Sequence, residues 1–254
     1  MLQPVVSVVI PARNEAATVG AIVRAVRGLG GAVGEVLIVD DGSTDDTAAV
    51  AACAGASVVE AAAVLPRFGT GPGKGQAMWK GLAESGGDVV VFCDADLRHF
   101  DPSFVTRLAD ALVAHPGAAI AKGRYSARAG SGGRVNELVA RPALELLHPL
   151  LAGLAQPLGG EYAMWRDVAE QVPFVHGYGV DLGLVLDIAE RFGAGAIVEA
   201  DLGIRTHRNR SLDELRPQAR VVLEVALQRA GMLASALPEC PPLRSVAGYE
   251  RRTA

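Results

Sequence analysis

The chain has 254 residues, 50% of them hydrophobic, with a net charge of −4 and only 5% aromatic side chains. That length and apolar content suit one large α/β domain or two small ones and exclude global disorder. Scarce aromatics and a mildly acidic balance argue against a base-stacking surface or a general polyanion binder, so no nucleic-acid partner is expected.

Residues 5–10 are a continuous β-branched run, the pattern of a strand buried on both faces, and the run stops at Pro11. Asn14 is placed to cap a helix in which Val19, Ile22, Val23 and Val26 recur at helical spacing until G-L-G-G at 28–31 ends it. Residues 35–39 read as a second strand with D-D-G-S-T-D-D as its exit loop, and Ser43 opens an S-x-x-D capping variant for a helix through 48–54. A short third strand is expected at 56–60. The glycine-rich residues 69–75 then lead into a helix at 76–84, and the apolar strand 89–93 ends in Asp94 and Asp96. Asp101 and Pro102 look like the cap and first-turn proline of a helix reaching His115. Residues 118–122 read as a strand, 123–134 as an arginine- and glycine-rich loop, and 136–154 as an apolar helical region. An amphipathic helix is expected at 181–192 and a last strand within 196–206. Ser211 and Glu214 form an S-x-x-E capping box opening a helix toward Ala230, with a kink or late start expected at Pro217. The tail from residue 238 shows no clear pattern.

Strand–helix alternation implies a mostly parallel, Rossmann-like central sheet with helices on both faces, followed by a C-terminal helical extension. Ligands of such sheets gather beyond the carboxyl ends of the strands. P-A-R-N-E, D-D-G-S-T-D and D-A-D all fall there. The start of the chain lacks the cationic, long apolar pattern of an export signal, and the stretch 138–158 is broken by Arg141, Glu145, His148 and prolines, so no membrane span is expected. Cys53, Cys93 and Cys240 have neither metal spacing nor an even count, and Cys93 reads as a small core residue. A reducing, cytoplasmic setting is expected.

Asp94 and Asp96 point the same way if the strand geometry persists, and such a pair suits Mg2+ or Mn2+ completed by water and substrate phosphates. Taken alone, D-x-D serves equally as two turn residues. Asp40 and Asp41 close the second strand similarly, where one carboxylate could hold a base edge or ribose hydroxyl. Asn14 and Glu15 are, by periodicity, plain helix starters. Lys74, among Gly71, Gly73 and Gly75, would place a point charge beside a phosphate or nucleobase, although a flexible loop fits as well. Lys122, Arg124, Arg128, Arg134 and Arg141 face only Glu137 between 121 and 141, and H-R-N-R at 207–210 is a second basic cluster. Both suit a small anionic ligand or simply solvated arginines. Tyr162 and Trp165 could wall a pocket or pack in the core, and Asp181 could be a helix N-cap.

V-S-V-V-I-P-A-R-N-E, V-L-I-V-D-D-G-S-T-D-D-T, G-K-G and D-A-D, in that order, resemble the nucleotide-sugar-binding half of the glycosyltransferase A fold. G-G-R-V-N-E-L-V-A-R-P, Q-P-L-G-G-E-Y-A, G-Y-G-V-D-L-G-L and L-G-I-R-T-H-R-N-R resemble the glucosyl-3-phosphoglycerate synthase family, whose members retain anomeric configuration. The resemblance implies a single domain with a nucleotide-sugar half at 1–122, an acceptor half at 123–210, and a C-terminal helix and tail at 211–254. It implies donor contacts from Pro11, Ala12, Asn14, Glu15, Asp41, Ser43, Lys74, Asp94 and Ala95, and a metal held by Asp96 and His207. Gly133, Arg134, Asn136 and Asn209 would bind the acceptor, and Asp181, Asp96 and Arg134 would serve catalysis. The reaction implied is transfer of glucose from UDP-glucose to 3-phosphoglycerate with Mg2+ or Mn2+, by a homodimer.

Three positions depart from the family pattern: Asn136 stands for a threonine, Asp181 for a glutamate and Ala95 for a serine. The first leaves the acceptor open and the second leaves room for another sugar, so a GDP-mannose donor or a lipid-phosphate acceptor stays an alternative, as does a non-catalytic nucleotide-sugar sensor. A nucleotidyltransferase would carry a basic glycine-rich loop directly after the first strand, where this chain has P-A-R-N-E.

Overall fold

The computed structural model describes residues 3–97, 100–125, 127–129, 133–206, 211–234 and 237–253. Its first half follows the apolar runs: β1 (Val6–Ala12), β2 (Glu35–Asp40), β3 (Ser57–Glu60) and β4 (Val89–Phe92), separated by α1 (Val19–Arg27), α2 (Thr47–Cys53) and α3 (Lys74–Glu84). These strands pair in parallel, as buried β-branched runs joined by helices must. The second half adds α4 (Ser103–Ala114), β5 (Ile120–Arg124), β6 (Ala127–Ala129), a π-turn (Asn136–Ala140), α5 (Arg141–Leu147), β7 (Tyr162–Trp165) and α6 (Arg166–Ala169). It closes with β8 (Phe174–Val175), α7 (Val180–Phe192), β9 (Ile197–Asp201), β10 (Ile204–Thr206), α8 (Leu212–Arg229) and β11 (Glu239–Cys240).

The main sheet has 7 strands in the order β3-β2-β1-β4-β7-β5-β9. It is mostly parallel, and β7 is the exception, running antiparallel to both β4 and β5. Nothing in the periodicity of the chain marks β7, because four residues after a double glycine are too few to display it. Its insertion places Tyr162 in the middle of the sheet, fully buried, and decides the pocket-or-core question for that residue in favour of the core. Successive side chains of β1 serve opposite faces, as strand geometry requires. Val8 and Ile10 join Ile22, Val23 and Leu108 in one core, while Val9 joins Met78, Trp79, Leu82 and Leu184 in the other. Cys93 is buried in the first core, as expected.

One alternative is excluded and one expectation is corrected. Ser211 and Glu214 form the full capping box, and α8 starts at Leu212 and runs through Pro217, so of the kink or late start expected there the late start is excluded. Pro217 lies in the second turn and removes only the bond its N–H would have made to the Asp213 carbonyl, while the box holds the first turn. The tail beyond residue 238 is also structured. β11 pairs antiparallel with β8, Trp79 Nε1 donates to the Pro241 carbonyl at 2.7 Å, and Arg251 reaches buried Glu170 at 2.6 Å. Those contacts are long-range ion pairs and backbone bonds, which leave no periodic trace in a short segment.

One close approach sets the spacing of the site. At the start of α3, Gly75 lies so near β8 that a methyl group there would overlap the Val175 carbonyl oxygen and press on Val180, the first residue of α7. Gly75→Ala should therefore cost about 1–3 kcal/mol through overpacking, measured by urea unfolding. No helix among the described residues is long and apolar enough to cross a membrane.

Candidate active site

The three suspect loops are laced together at the carboxyl ends of β1, β2 and β4. Asn14 adopts a left-handed conformation, φ 57°, and its carboxamide oxygen accepts the Thr44 N–H at 2.8 Å. In return, Ser43 Oγ accepts the Asn14 N–H at 3.0 Å and Thr47 Oγ1 accepts the Glu15 N–H at 2.8 Å. Neither Asn14 nor Ser43 caps a helix, contrary to expectation. α1 starts only after Thr18 and α2 after Asp46, with the Asp45 carboxylate accepting the Thr47 N–H at 3.0 Å. The small polar side chains hydrogen-bond across the loops instead, the competing use open to such residues. Pro11 and Ala12 end β1 opposite Val39 and Asp40.

Thr18 ties in the third loop. Its hydroxyl donates to the carbonyl of buried Ala95, between the paired aspartates, at 2.7 Å. Buried Asp41 accepts the Gly73 N–H at 2.7 Å and so anchors the glycine-rich segment before α3. Burial pushes the Asp41 carboxyl above the ordinary carboxylate range, against the pull of the Gly73 N–H and of Arg13.

α3 delivers Lys74 and α7 delivers Asp181 to the same point. The Lys74 ammonium lies 2.9 Å from Asp94 and 3.0 Å from Asp181, with all of these side chains largely buried. Burial opposes its charge, but Asp181 and Asp94 outweigh burial and raise its pKa, so it stays a cation. Lys74 thus bridges two carboxylates rather than waving on a loop. Asp181 is not an N-cap, since that position belongs to Gly179; it sits in the first turn of α7, and the Tyr162 hydroxyl approaches it at 3.5 Å. Asp96 is exposed, whereas Asp94 is half-buried against Gly160, where a methyl group would overlap both carboxylate oxygens.

Behind this group lies Lys122, 1% exposed, whose ammonium donates to the Gly159 carbonyl at 2.5 Å and sits 4.2 Å from the Tyr162 ring centre. Burial lowers its pKa to about 8. Lys122 therefore leaves the expected basic cluster, whereas Arg141 stays at the surface and pairs with Glu137 at 2.8 Å. Arg124 lies 3.4 Å from Asp201. Gly133 takes a positive φ of 80° immediately before Arg134. Asn136 is buried and donates to the Ala155 carbonyl at 3.2 Å, so it braces the neighbouring loop. His207 and Asn209 lie outside the described residues.

The chemistry of the donor set fits a hard divalent cation: carboxylate oxygens at a strand tip, one of them exposed. Among the described residues no group of three or more His, Cys, Asp or Glu side chains forms a cage. Thr18 and Gly160 are not among the site residues expected from sequence, Lys122 was expected only as part of the basic cluster, and the Tyr162–Asp181 contact was not foreseen. Gly160 entered only within the Q-P-L-G-G-E-Y-A motif of the family resemblance.

Residues 7–177 match the family model "Glycosyl transferase family 2". A glucosyl-3-phosphoglycerate synthase from Mycolicibacterium smegmatis is 45% identical over 236 residues, covering 89% of this chain and 78% of that relative. The solved structure of glucosyl-3-phosphoglycerate synthase from Mycobacterium tuberculosis with Mn2+, UDP-glucose and phosphoglyceric acid is 41% identical, with a TM-score of 0.90 over 95% of this chain and 90% of that one. A structure of the same M. tuberculosis enzyme with Mg2+ and UDP gives a TM-score of 0.89 at 41% identity, over 95% of this chain and 91% of that one.

Proposed function

This chain belongs to glycosyl transferase family 2 and, within it, to the glucosyl-3-phosphoglycerate synthase family, and from that premise we propose what its strand-tip site does. It is a metal-dependent glycosyltransferase that moves glucose from UDP-glucose to the hydroxyl of 3-phosphoglycerate. The observation that carries the assignment to this site is the buried Asp94–Lys74–Asp181 cluster beside Asp96, at the carboxyl end of the parallel strands. Open α/β sheets place their ligands there.

In this reading Pro11, Ala12, Asn14, Glu15, Asp41 and Ser43 form the uridine pocket, and the Asn14–Thr44 and Glu15–Thr47 bonds hold it open before the donor arrives. Asp96 and His207 hold a Mg2+ or Mn2+ ion, which supplies electrostatic stabilisation to the leaving diphosphate when bound. Lys74 adds a fixed positive charge on the same side, kept ionised by its two carboxylates. Asp181, steadied by Lys74 and Tyr162, accepts hydrogen bonds from sugar hydroxyls. Gly133, Arg134 and Asn209 hold the acceptor, with buried Asn136 bracing the loop beside them and the Arg134 guanidinium matched to the acceptor's anionic groups. Held there, the acceptor hydroxyl attacks on the face the diphosphate leaves, and a phosphate oxygen takes its proton, so configuration is retained. Positioning of this kind removes much of the barrier.

The test is UDP and GDP release over a grid of donors and acceptors, with and without Mg2+ or Mn2+. Turnover is expected with UDP-glucose and 3-phosphoglycerate; preference for GDP-mannose, or for a lipid-phosphate acceptor, would reassign the substrates. Arg134→Ala should raise the KM for 3-phosphoglycerate by about tenfold to a hundredfold, from the loss of a charged hydrogen bond, and leave the KM for UDP-glucose near its starting value. An unchanged acceptor KM removes Arg134 from the acceptor site. The family resemblance also supports a homodimer, and the three free thiols support a cytoplasmic setting; sedimentation at micromolar concentration checks the first.

A further inference from the structure

Lys122 has no place in the transfer chemistry, yet burying its ammonium to 1% exposure is unfavourable unless the charge is used. Its two contacts lead to the two carboxylates that hold Lys74. One is the bond to the Gly159 carbonyl, and the next residue, Gly160, is the close rear wall of Asp94. The other is the Tyr162 ring, whose hydroxyl reaches Asp181 at 3.5 Å. The same loop is tied a second time at Glu161, whose carbonyl accepts the Gly123 N–H at 2.9 Å and whose carboxylate accepts the Tyr125 hydroxyl at 2.8 Å. β5 and the residue after it thus grip residues 159–161 from Lys122, Gly123 and Tyr125 together.

We infer that Lys122 is a positioning residue for donor binding, fixing Asp94 through Gly159–Gly160 and Asp181 through Tyr162 while touching neither the donor nor the acceptor. This rests on the donor-side reading of Asp94, Lys74 and Asp181. Outer residues that orient such groups typically tune affinity by about tenfold to a hundredfold.

Lys122→Met keeps the length of the side chain and removes its charge and its hydrogen bond. The affinity for UDP in the presence of Mn2+, measured by calorimetry, should fall by about tenfold, with the KM for UDP-glucose rising in step and the KM for 3-phosphoglycerate unchanged. A merely structural lysine would lower the melting temperature and leave those donor-side values alone, and that result overturns the inference. If Lys122→Met does not fold, Tyr162→Phe decides, because it keeps the ring over Lys122 and removes only the hydroxyl that meets Asp181. A donor-side loss is expected again, and wild-type donor values overturn the relay. Failure of the unmodified protein to bind UDP with Mn2+ would instead overturn the reading of the whole site, and the role of Lys122 with it.

Discussion

Asp96→Ala should lower kcat/KM by roughly a thousandfold, about 4 kcal/mol of lost transition-state stabilisation, without loss of fold. The two parts of the expectation come from different observations. Asp96 is exposed in the turn that follows β4, so truncating it should change stability by no more than about 0.5 kcal/mol. Within the D-A-D pair, Asp94 is the member that pairs with Lys74, at 2.9 Å, and Asp96 is the exposed one. Charge develops on the leaving diphosphate as the anomeric bond breaks, and opposing charge fixed nearby in advance is the larger source of rate in such sites. Chelation of the unmodified enzyme should reproduce the loss and added Mn2+ should reverse it, whereas the variant should stay slow at any Mn2+ concentration. UDP release measured with excess chelator is the check. Undiminished turnover there would end the metal-dependent reading.

The parallel half of the fold was legible because it is written in long apolar runs. Residues 5–10, 35–39 and 89–93 each contain enough β-branched side chains to declare a doubly buried strand, and the acidic loops at their ends follow from topology. β7 was not legible, since it is short and its partners lie on β4 and β5, far along the chain. The same distance hid the chemistry of the site. D-A-D and Lys74 stood out locally, but their bridge through Asp181 joins residues separated by 107 positions, and no spacing rule reports that. Asn14 and Ser43 show the opposite failure: a local capping pattern was present, and bonds between loops prevailed over it. Lys122 was misread for a related reason. Counting charges along residues 121–141 treats every cation as surface, whereas strand alternation and the insertion of β7 put this one inside.

Lys74→Met should be the most damaging single change for the fold and the donor site together. Removing the ammonium leaves Asp94 and Asp181 facing each other in a largely buried space, and breaking a buried pair from one side costs about 3–5 kcal/mol. The cost depends on pH in a direction that can be worked out. Burial already raises the Asp181 pKa above its ordinary value, and loss of the neighbouring cation raises it further. A carboxyl with a raised folded pKa binds more protons folded than unfolded, so its contribution is favourable at low pH and is lost as pH rises through the folded value. The variant should therefore regain stability relative to the parent as pH falls through the raised value toward the ordinary carboxylate range, as read by urea unfolding. Asp181→Asn in the Lys74→Met background should recover part of the stability at neutral pH, because it removes one of the stranded charges. It should not recover affinity for UDP with Mn2+, since the cation that faces the diphosphate is still missing. Restored stability with restored binding would mean that Lys74 only neutralises its neighbours. Restored stability with weak binding separates its two roles, as brace and as donor contact, within one double-mutant cycle.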